Sequence, residues 1–390
     1  MRKNLKIMKV RHHCGIWTSV PVFIVVMSFV IWMSVDVLGV PLQRLLYNAI
    51  TSLGSLLDGA LTDMDVSAPI RSLVVDAVFG GVGAVVSFVP VIALLFFFLT
   101  LLEDSGYMDA AAGSADRMMR RAGLSGRCLL PLIVGFGCSV PAVMAICDLP
   151  SETERNRTAM LLPFVSCSAK IPMYVLFASV LFPGHGGLAI VCIYLFSLLV
   201  GLVAALVSAR ISSSDIPALP PGNRSEFRAP RLEYVLRKVA LEAWDFLRRV
   251  FTVVFIATVI IWVLRSFDWR FTAVEDPSLS MLASIGDWLV PVFTPLGLGD
   301  WKVVITFISG FLAKENIVST MELLGLGSGL PFAAGLAMLV FGTLYSPCIA
   351  TIASVRREFG RGRGLGMFIF QCAVAWLVAF LVYRLALPFV

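Results

Sequence analysis

The stretch LPLIVGFGCSVPAVMA, residues 130–145, is as apolar as a membrane segment but contains residues that interrupt a helix. Gly135, Gly137 and Pro141 surround Cys138, so the helical hydrogen bonds are expected to fail around this thiol. Irregular backbone at membrane depth is tolerated only where protein or a water-filled cavity surrounds it. The stretch therefore predicts a broken helix in which a thiol and open backbone carbonyls face a passage.

The chain as a whole has the composition of an integral membrane protein. Its 390 residues are 58% hydrophobic and 14% charged, whereas soluble domains are roughly 25% charged. The mean hydropathy is +0.90. A helix needs about 20 apolar residues to cross the hydrocarbon core. Seven stretches meet this requirement: 16–35, 73–102, 159–183, 188–209, 249–265, 331–353 and 365–387.

The basic residues predict which loops are cytoplasmic. Lys and Arg collect before the first span, after the second span, in a long central loop and before the last span. We therefore expect a cytoplasmic N-terminus, with a first span that is retained because its apolar run is too long for a cleaved signal peptide. The loops at 36–70 and 267–300 are poorer in basic residues and are expected outside.

Two apolar stretches, 128–147 and 301–323, are broken or charged, and the loop assignment decides how they cross. An even number of crossings must separate the cytoplasmic loop before 128 from the central loop after 209. Spans 159–183 and 188–209 already supply two, so 128–147 is predicted to enter and return. The same argument makes 301–323 re-entrant from the outer side. The predicted fold class is all-α, a polytopic protein with about seven spanning helices and two re-entrant broken hairpins in an inverted repeat, which is a transporter architecture.

Two further thiols lie in polar segments next to a proline. Cys167 occurs in SCSAKIP (166–172) and Cys348 in SPCIAT (346–351). Together with Cys138 they favour a soft-metal path that Ser139 and Ser166 also line. Fe²⁺, Zn²⁺, Mn²⁺ and Co²⁺ all remain allowed, since thiolate suits such ions better than Mg²⁺ or Ca²⁺. The alternative is that each cysteine is a small buried hydrophobe.

Charged residues in apolar segments are the other functional candidates, because each is costly to insert. Lys170 and Lys314 are predicted to be gating or charge partners of the path, as are the helix-breaking Gly135, Gly137 and Pro141 in gating. Glu315 is predicted to lie on the path as a charge partner, and the alternative is that Lys314 and Glu315 form a neutralised structural pair. Glu103 and Asp104 end the second span, where a carboxylate opposes the helix macrodipole. They are predicted to attract cations at a cytoplasmic mouth, or else to be a solvated span end.

Six motifs resemble the membrane domain of the FeoB family of ferrous iron transporters. In chain order they are EDSGYM (103–108), DRMMRRAGLSGR (116–127), LPLIVGFGCSVPAVMA (130–145), LLPFVSCSAKIPMYVLFA (161–178), FLAKENIV (311–318) and YSPCIATIASVRREFG (345–360). The resemblance implies Fe²⁺ uptake across a bacterial inner membrane, with Cys138, Cys167 and Cys348 near the path. Fe²⁺ would be the substrate, with no permanently bound cofactor.

The chain departs from the family pattern in two ways. The family usually has Asn where this chain has Ser139, and Gly and Arg where it has Ser168 and Lys170. The family's GTPase domain is the second difference, since no GxxxxGK[ST] phosphate loop occurs in the sequence. Three alternatives stay open: a separate GTPase subunit supplies this domain, transport proceeds without it, or the gene is a remnant. The resemblance also implies a small FeoA-like cytoplasmic partner and a possible homo-oligomer in the lipid bilayer, without nucleic acid.

The resemblance also suggests an organisation into six segments. A basic N-terminus and a first span with an outer loop precede a Gate-type repeat, a linker with an amphipathic helix on the membrane surface, a span with an outer loop, and a second Gate-type repeat with the last span. Their boundaries are 1–14, 15–72, 73–210, 211–248, 249–300 and 301–390.

Two other functions stay open. Gate-type repeats also resemble proteins of nucleoside transport, so the polar breaks could bind a neutral solute. Alternatively, the chain could be a non-transporting membrane scaffold for a GTPase. An enzyme is not expected, because no pairing of nucleophile and base is visible.

Overall fold

The structure is a computed structural model, and the residues it describes are helical apart from short connections and an isolated bridge between Phe267 and Ala273. It describes residues 16–64, 67, 71, 74–75, 79, 81–121, 123–211, 229–274, 276–314, 316–326, 330–345 and 347–389.

The α-helices are numbered here in chain order. They are α1 (Ile16–Trp32), α2 (Val40–Asp63), α3 (Gly81–Asp104), α4 (Tyr107–Arg121), α5 (Leu129–Gly137), α6 (Ser139–Cys147), α7 (Glu152–Leu161), α8 (Ile171–Leu181), α9 (Gly186–Ile211), α10 (Leu232–Ser266), α11 (Met281–Phe293), α12 (Trp301–Leu312), α13 (Asn316–Leu323), α14 (Phe332–Leu344), α15 (Ile349–Phe359) and α16 (Arg361–Ala386).

Within the described residues, five helical segments are long and apolar enough to cross a membrane. They are Val25–Asp63, Glu152–Leu181, Gly186–Val207, Phe332–Phe359 and Gly362–Ala386. A sixth span results if Met281–Leu296 and Trp301–Leu312, which meet at an angle of 102°, are counted as one. The chain is therefore a multi-pass membrane protein, and the predicted all-α class is confirmed.

Several predicted loops are helical. The segment expected as an outer loop after the first span contains α2, which follows α1 through a π-helical turn, Met33–Gly39. The region 267–300 likewise contains α11. Leu and Ile recur along α2 at helical spacing among polar residues, an amphipathic pattern that favours a helix.

The predicted helix breaks are present. α5 and α6 have nine residues each, or about 14 Å at 1.5 Å per residue, and they pack against each other. α12 and α13 are likewise separated at Ala313–Lys314 and pack together. Neither α5 nor α6 is long enough to cross a bilayer of about 30 Å by itself, which favours the predicted re-entrant course.

The chain forms two compact units, each assembled from separate stretches of sequence. The first unit contains Met1–Thr51, Gly83–Leu162 and Leu202–Phe251, and the second contains Ser52–Val82, Pro163–Gly201 and Thr252–Val390. Met27, Met108, Ala111 and Ile133 form a core cluster of the first unit. In the second unit α14 is buried along almost its whole length and packs against α8 and α16.

Candidate functional site

The three thiols predicted at helix breaks do lie at helix breaks. Cys138 has extended backbone (φ −151°, ψ 134°) between α5 and α6. Cys167 (φ −78°, ψ 161°) precedes the 3₁₀ turn Ser168–Lys170, and Cys348 (φ −59°, ψ 158°) precedes α15. Each cysteine is thus the N-cap residue of a helical segment, where unpaired backbone N–H groups favour anionic groups such as a thiolate.

Two buried lysines accompany two of these thiols in the second unit. Lys170 and Lys314 are only 3% and 2% exposed. The amino groups of both lie close enough to the thiols of Cys167 and Cys348 to interact with them electrostatically. We call Cys167, Lys170, Lys314 and Cys348 the lysine–thiol cluster. The fold thus brings together one cysteine from each of the two proline-flanked segments, SCSAKIP (166–172) and SPCIAT (346–351).

Lys170 also caps the C-terminal end of α14. Its Nζ donates a hydrogen bond to the carbonyl oxygen of Thr343, at 2.5 Å. Thr343 lies next to the last residue of α14, where carbonyl groups have no partner within the helix and the macrodipole favours a cation. Lys170 therefore connects the break at Cys167 to the break that follows α14.

Lys314 contacts an aromatic ring. Its Nζ lies 3.2 Å from the ring centroid of Tyr345, a cation–π distance. The Tyr345 hydroxyl donates to the carbonyl oxygen of Phe307 at 3.3 Å. The approach of Tyr345 depends on Gly310, because a Cβ there would lie 2.5 Å from the Tyr345 hydroxyl.

Further rings continue from Tyr345 through the second unit. Phe341 stacks on Tyr345 with centroids 5.4 Å apart, and Phe307 packs edge-on against Phe341 at 4.7 Å. Phe293 stacks on Phe307 at 5.8 Å. The lysine–thiol cluster is therefore bordered on this side by four packed aromatic rings.

Ser166 has a structural role in the break at Cys167. It is fully buried, accepts a hydrogen bond from the Tyr174 hydroxyl at 2.7 Å and donates to the Ser197 hydroxyl at 3.4 Å. Ser197 in turn donates to the carbonyl oxygen of Phe164. This network satisfies polar groups that the irregular backbone leaves open, so the assignment of Ser166 to the path stays a prediction.

The break at Cys138 belongs to the first unit. Gly135, Gly137, Ser139 and Pro141 are all buried around it, while Cys138 is partly exposed. A Cβ at Gly137 would lie 3.3 Å from a methyl group of Leu95. The small residue therefore allows α3 to pack closely beside the break.

Glu103 and Asp104 both have protein partners. Glu103 is 56% exposed and forms an ion pair of 2.8 Å with Lys238, which also lies 3.8 Å from Glu242. Asp104 is buried and accepts a hydrogen bond from the Arg231 backbone N–H at 2.8 Å. These contacts attach the start of α10 to the end of α3, and the role of the two carboxylates in cation attraction remains a prediction.

Two more carboxylates, those of Asp148 and Glu242, interact with Glu103 and Lys238. Partial burial and the charge of Glu103 raise the pKa of Asp148, against the opposing effect of Lys238. Burial also raises the pKa of Glu242, where Lys238 opposes the shift and Glu103 and Asp148 add to it. We call Glu103, Asp148, Lys238 and Glu242 the carboxylate group. It contains three acids around one lysine, so it is acidic overall.

Glu315, the remaining charged candidate, lies outside the described residues. Among the residues that are described, no group of three or more His, Cys, Asp or Glu side chains is arranged to hold a metal ion. Any ion at the lysine–thiol cluster would therefore be held by two thiols together with ligands of other kinds, such as backbone carbonyls.

Sequence reasoning did not assign Tyr345, Thr343 or Gln371, of which the structure places the first two at the lysine–thiol cluster. Tyr345 and Thr343 contact the two buried lysines, and Gln371 is a fully buried carboxamide on α16. Gln371 could have been found as an uncharged polar side chain in an apolar helix. The roles of Tyr345 and Thr343 depend on partners that are distant in sequence, and no local signal indicates them.

The chain matches known proteins over the segments that form these breaks. The model of the Gate family, described as nucleoside recognition, matches residues 85–181 and 247–362, which include all three cysteines. The chain is 32% identical over 389 residues to the Fe(2+) transporter FeoB of Staphylococcus aureus, an alignment that covers 96% of this chain and 58% of that protein.

Two other relatives agree with this match. The Fe(2+) transporter FeoB of Methanocaldococcus jannaschii is 33% identical over 335 residues, which cover 80% of this chain and 49% of the relative. A Fe(2+) transport protein A/Fe(2+) transporter FeoB fusion protein of Porphyromonas gingivalis is 31% identical over 384 residues, which cover 82% and 45%. The chain thus spans about half the length of these relatives, and no solved structure matches it. Because the two Gate segments cover more than half of its residues, the chain belongs to the Gate family.

Proposed function

We propose that this chain is a membrane permease subunit that conducts Fe²⁺ into the cell across the bacterial inner membrane, with its N-terminus in the cytoplasm. The observation that carries the proposal is the lysine–thiol cluster, in which Cys167 and Cys348 come from separate helix breaks and interact with the same two lysines. The similarity to proteins named Fe(2+) transporter supports the choice of metal.

The chemistry of the cluster suits transient binding. Thiols are soft ligands that favour Fe²⁺ over Mg²⁺ and Ca²⁺, and irregular backbone on both sides supplies carbonyl oxygens. Two thiols are too few for a closed four-ligand site, so an ion can leave again, as conduction requires. Lys170 and Lys314 interact with the same thiols, and an entering ion must compete with their amino groups. Ions with little affinity for sulfur would be rejected at this step.

The test is uptake of radiolabelled Fe²⁺ into proteoliposomes that contain the purified chain under reducing, anaerobic conditions. Cys167→Ser and Cys348→Ser are each expected to lower the uptake rate at least tenfold, because serine removes the soft ligand and nearly keeps the volume. Cys138→Ser tests the third predicted thiol in the same assay. Excess Zn²⁺ or Mn²⁺ should compete and excess Mg²⁺ should not.

Cys192→Ser is the matched control, since this thiol is exposed on α9 and precedes no helix. It should transport at the wild-type rate. Undiminished uptake by Cys167→Ser and Cys348→Ser would contradict the proposed path. Loss of uptake in all variants, the control included, would point to a general effect of serine substitution.

We further propose that a GTPase subunit and a FeoA-like protein act on this chain, which works as a homo-oligomer and holds no permanent cofactor. The Porphyromonas relative joins a Fe(2+) transport protein A to its FeoB part in one polypeptide, which supports the second partner. If the chain alone does not transport, addition of a GTPase and GTP to the proteoliposomes should start uptake. Uptake by the chain alone would make the GTPase a regulator.

A second candidate is uptake of a nucleoside or another neutral solute, which the description of the Gate family favours. The aromatic rings beside Tyr345 would then stack on a base. Uptake of labelled uridine that persists after alkylation of the thiols would support this function over iron transport.

A further inference from the structure

Gln371 lies on the buried face of α16. Met367, Ala375 and Ala379 share this face at spacings of four residues, and their side chains are 5%, 0% and 0% exposed. Gln371 itself is 0% exposed. A carboxamide thus lies in an otherwise apolar stripe that packs inside the second unit, beside α14 and α15.

The carboxamide of Gln371 has no hydrogen-bond partner among the described residues. This holds for both the Oε1 and the Nε2 atom. Buried polar side-chain atoms are nearly always hydrogen-bonded in folded proteins, because an unpaired group loses its hydration without compensation. Leucine or methionine would fill similar space at no such cost, so packing alone does not explain a glutamine here.

The residues next to Gln371 place it at the level of the lysine–thiol cluster. Phe368 packs against Phe311, near the end of α12, with ring centroids 5.3 Å apart. The thiol of Cys372 lies within electrostatic range of both Lys314 and Tyr345. Gln371 directly precedes Cys372 and is less than one helical turn from Phe368. Measured along the axis of α16, its Cα atom is therefore within about 5 Å of both residues.

We propose that Gln371 is a binding residue of the ion path, whose Oε1 atom supplies a neutral oxygen ligand to a divalent cation at the lysine–thiol cluster. This inference rests on the proposed function. A neutral oxygen beside two thiols gives a mixed ligand set, which suits borderline ions such as Fe²⁺ better than thiols alone would. It also adds no charge, so the ion is not trapped.

Replacing Gln371 by leucine should affect stability and transport in opposite directions. Gln371→Leu removes the unpaired amide, so the melting temperature in detergent should stay equal or rise, while Fe²⁺ uptake falls at least tenfold. Gln371→Met offers a soft thioether in place of the oxygen. It should retain more uptake than Gln371→Leu, with competition shifted from Mn²⁺ towards Zn²⁺.

Ser354→Ala is the control, because Ser354 is also buried but its hydroxyl donates to the carbonyl oxygen of Ala350 at 2.9 Å. It should transport at the wild-type rate. Wild-type uptake and unchanged competition in Gln371→Leu and Gln371→Met would overturn the proposal, as would a lower melting temperature that accounts for the lost uptake. Cys348→Ser separates the two claims: if it loses uptake while Gln371→Leu keeps it, only the role of Gln371 fails. If the wild type takes up no Fe²⁺ even after a GTPase and GTP are added, the proposed function fails and this role fails with it.

Discussion

The amino groups of the two buried lysines have different partners. Burial of a charged group is costly unless hydrogen bonds or opposite charges replace the lost water. Lys170 has the carbonyl oxygen of Thr343, and Lys314 has the ring face of Tyr345. Both partners stand next to the break before Cys348, so the lysines stabilise the irregular backbone that carries the thiol.

Lys170→Met should lower the stability of the protein. Methionine keeps the length of the side chain but leaves the Thr343 carbonyl oxygen without its donor, and an unsatisfied buried acceptor costs about 1 to 3 kcal/mol. Thermal unfolding in detergent should show a lower melting temperature than for Lys302→Met, a half-buried lysine of the same unit. Equal melting temperatures for the two variants would show that this hydrogen bond contributes little.

The ring of Tyr345 should matter more than its hydroxyl. Tyr345→Phe keeps the face over Lys314 and loses only the long hydrogen bond to Phe307, whereas Tyr345→Leu removes a cation–π contact of about 0.5 to 2 kcal/mol and the stacking on Phe341. Thermal unfolding should therefore rank wild type, Tyr345→Phe and Tyr345→Leu in falling order. A phenylalanine variant as unstable as the leucine variant would contradict this ranking.

Among the elements, the 3₁₀ turn Gly126–Cys128 depends on a close approach to α4. The Gly126 N–H donates to Asp116 Oδ1 at 2.9 Å, and a Cβ at this position would collide with the carbonyl group of Ala112 and lie 2.9 Å from the Asp116 nitrogen. Both neighbours are backbone and cannot move aside as a side chain would. This turn leads directly into α5, so its position sets where the helix broken at Cys138 begins.

Gly126→Ala should destabilise the protein by about 1 to 3 kcal/mol, since overpacking forces backbone shifts. Gly113→Ala is a matched control within α4, because nothing lies within 4 Å of its added Cβ. The control should be neutral or more stable by up to about 1 kcal/mol, as alanine favours a helix over glycine. Thermal unfolding of both variants compares the two effects, and equal shifts would refute the steric explanation.

The carboxylate group should make the attachment of α10 to α3 depend on pH. The pKa values of Asp148 and Glu242 are raised, so the folded protein binds more protons than the unfolded chain and gains stability as the pH falls from neutral through these raised values. Burial alone would lower the pKa of Lys238, but its hydrogen bond to Glu103 and the nearby acids raise it. Lys238 therefore stays charged throughout this range.

Lys238→Gln removes the cation between three acids and should lower the melting temperature more at pH 7.5 than at pH 5.5. At the lower pH the acids with raised pKa values take up protons and repel one another less. Arg237→Gln, an exposed neighbour on α10, should show the same small effect at both pH values. A loss in Lys238→Gln that does not vary with pH would contradict the proposed interaction.

For the whole molecule, the number of crossings depends on whether 128–147 follows the predicted re-entrant course. Reporter domains fused after Arg127 and after Ser151 should both be cytoplasmic, because α5 and α6 are expected to enter and return on one side. A fusion after Gly184, between the spans Glu152–Leu181 and Gly186–Val207, should be outside. Alkaline phosphatase is active only outside and green fluorescent protein fluoresces only inside, so the pair reports each position. Opposite locations at Arg127 and Ser151 would make this stretch a true crossing.

The sequence by itself determined the membrane class, most of the spans and the three helix breaks, because hydropathy, glycine and proline act on the chain locally. It also determined the family, through motifs such as GFGC (135–138) and SCSAKIP (166–172). Only the tertiary structure decided the partners: Asp104 binds the backbone of Arg231, Glu103 pairs with Lys238, and Lys170 reaches Thr343, 173 positions away. The tertiary structure likewise showed that the carboxamide of Gln371 has no hydrogen-bond partner among the described residues. Such contacts depend on which helices pack together. That choice depends on the combined packing energy of many side chains from distant parts of the sequence, so no single stretch determines it.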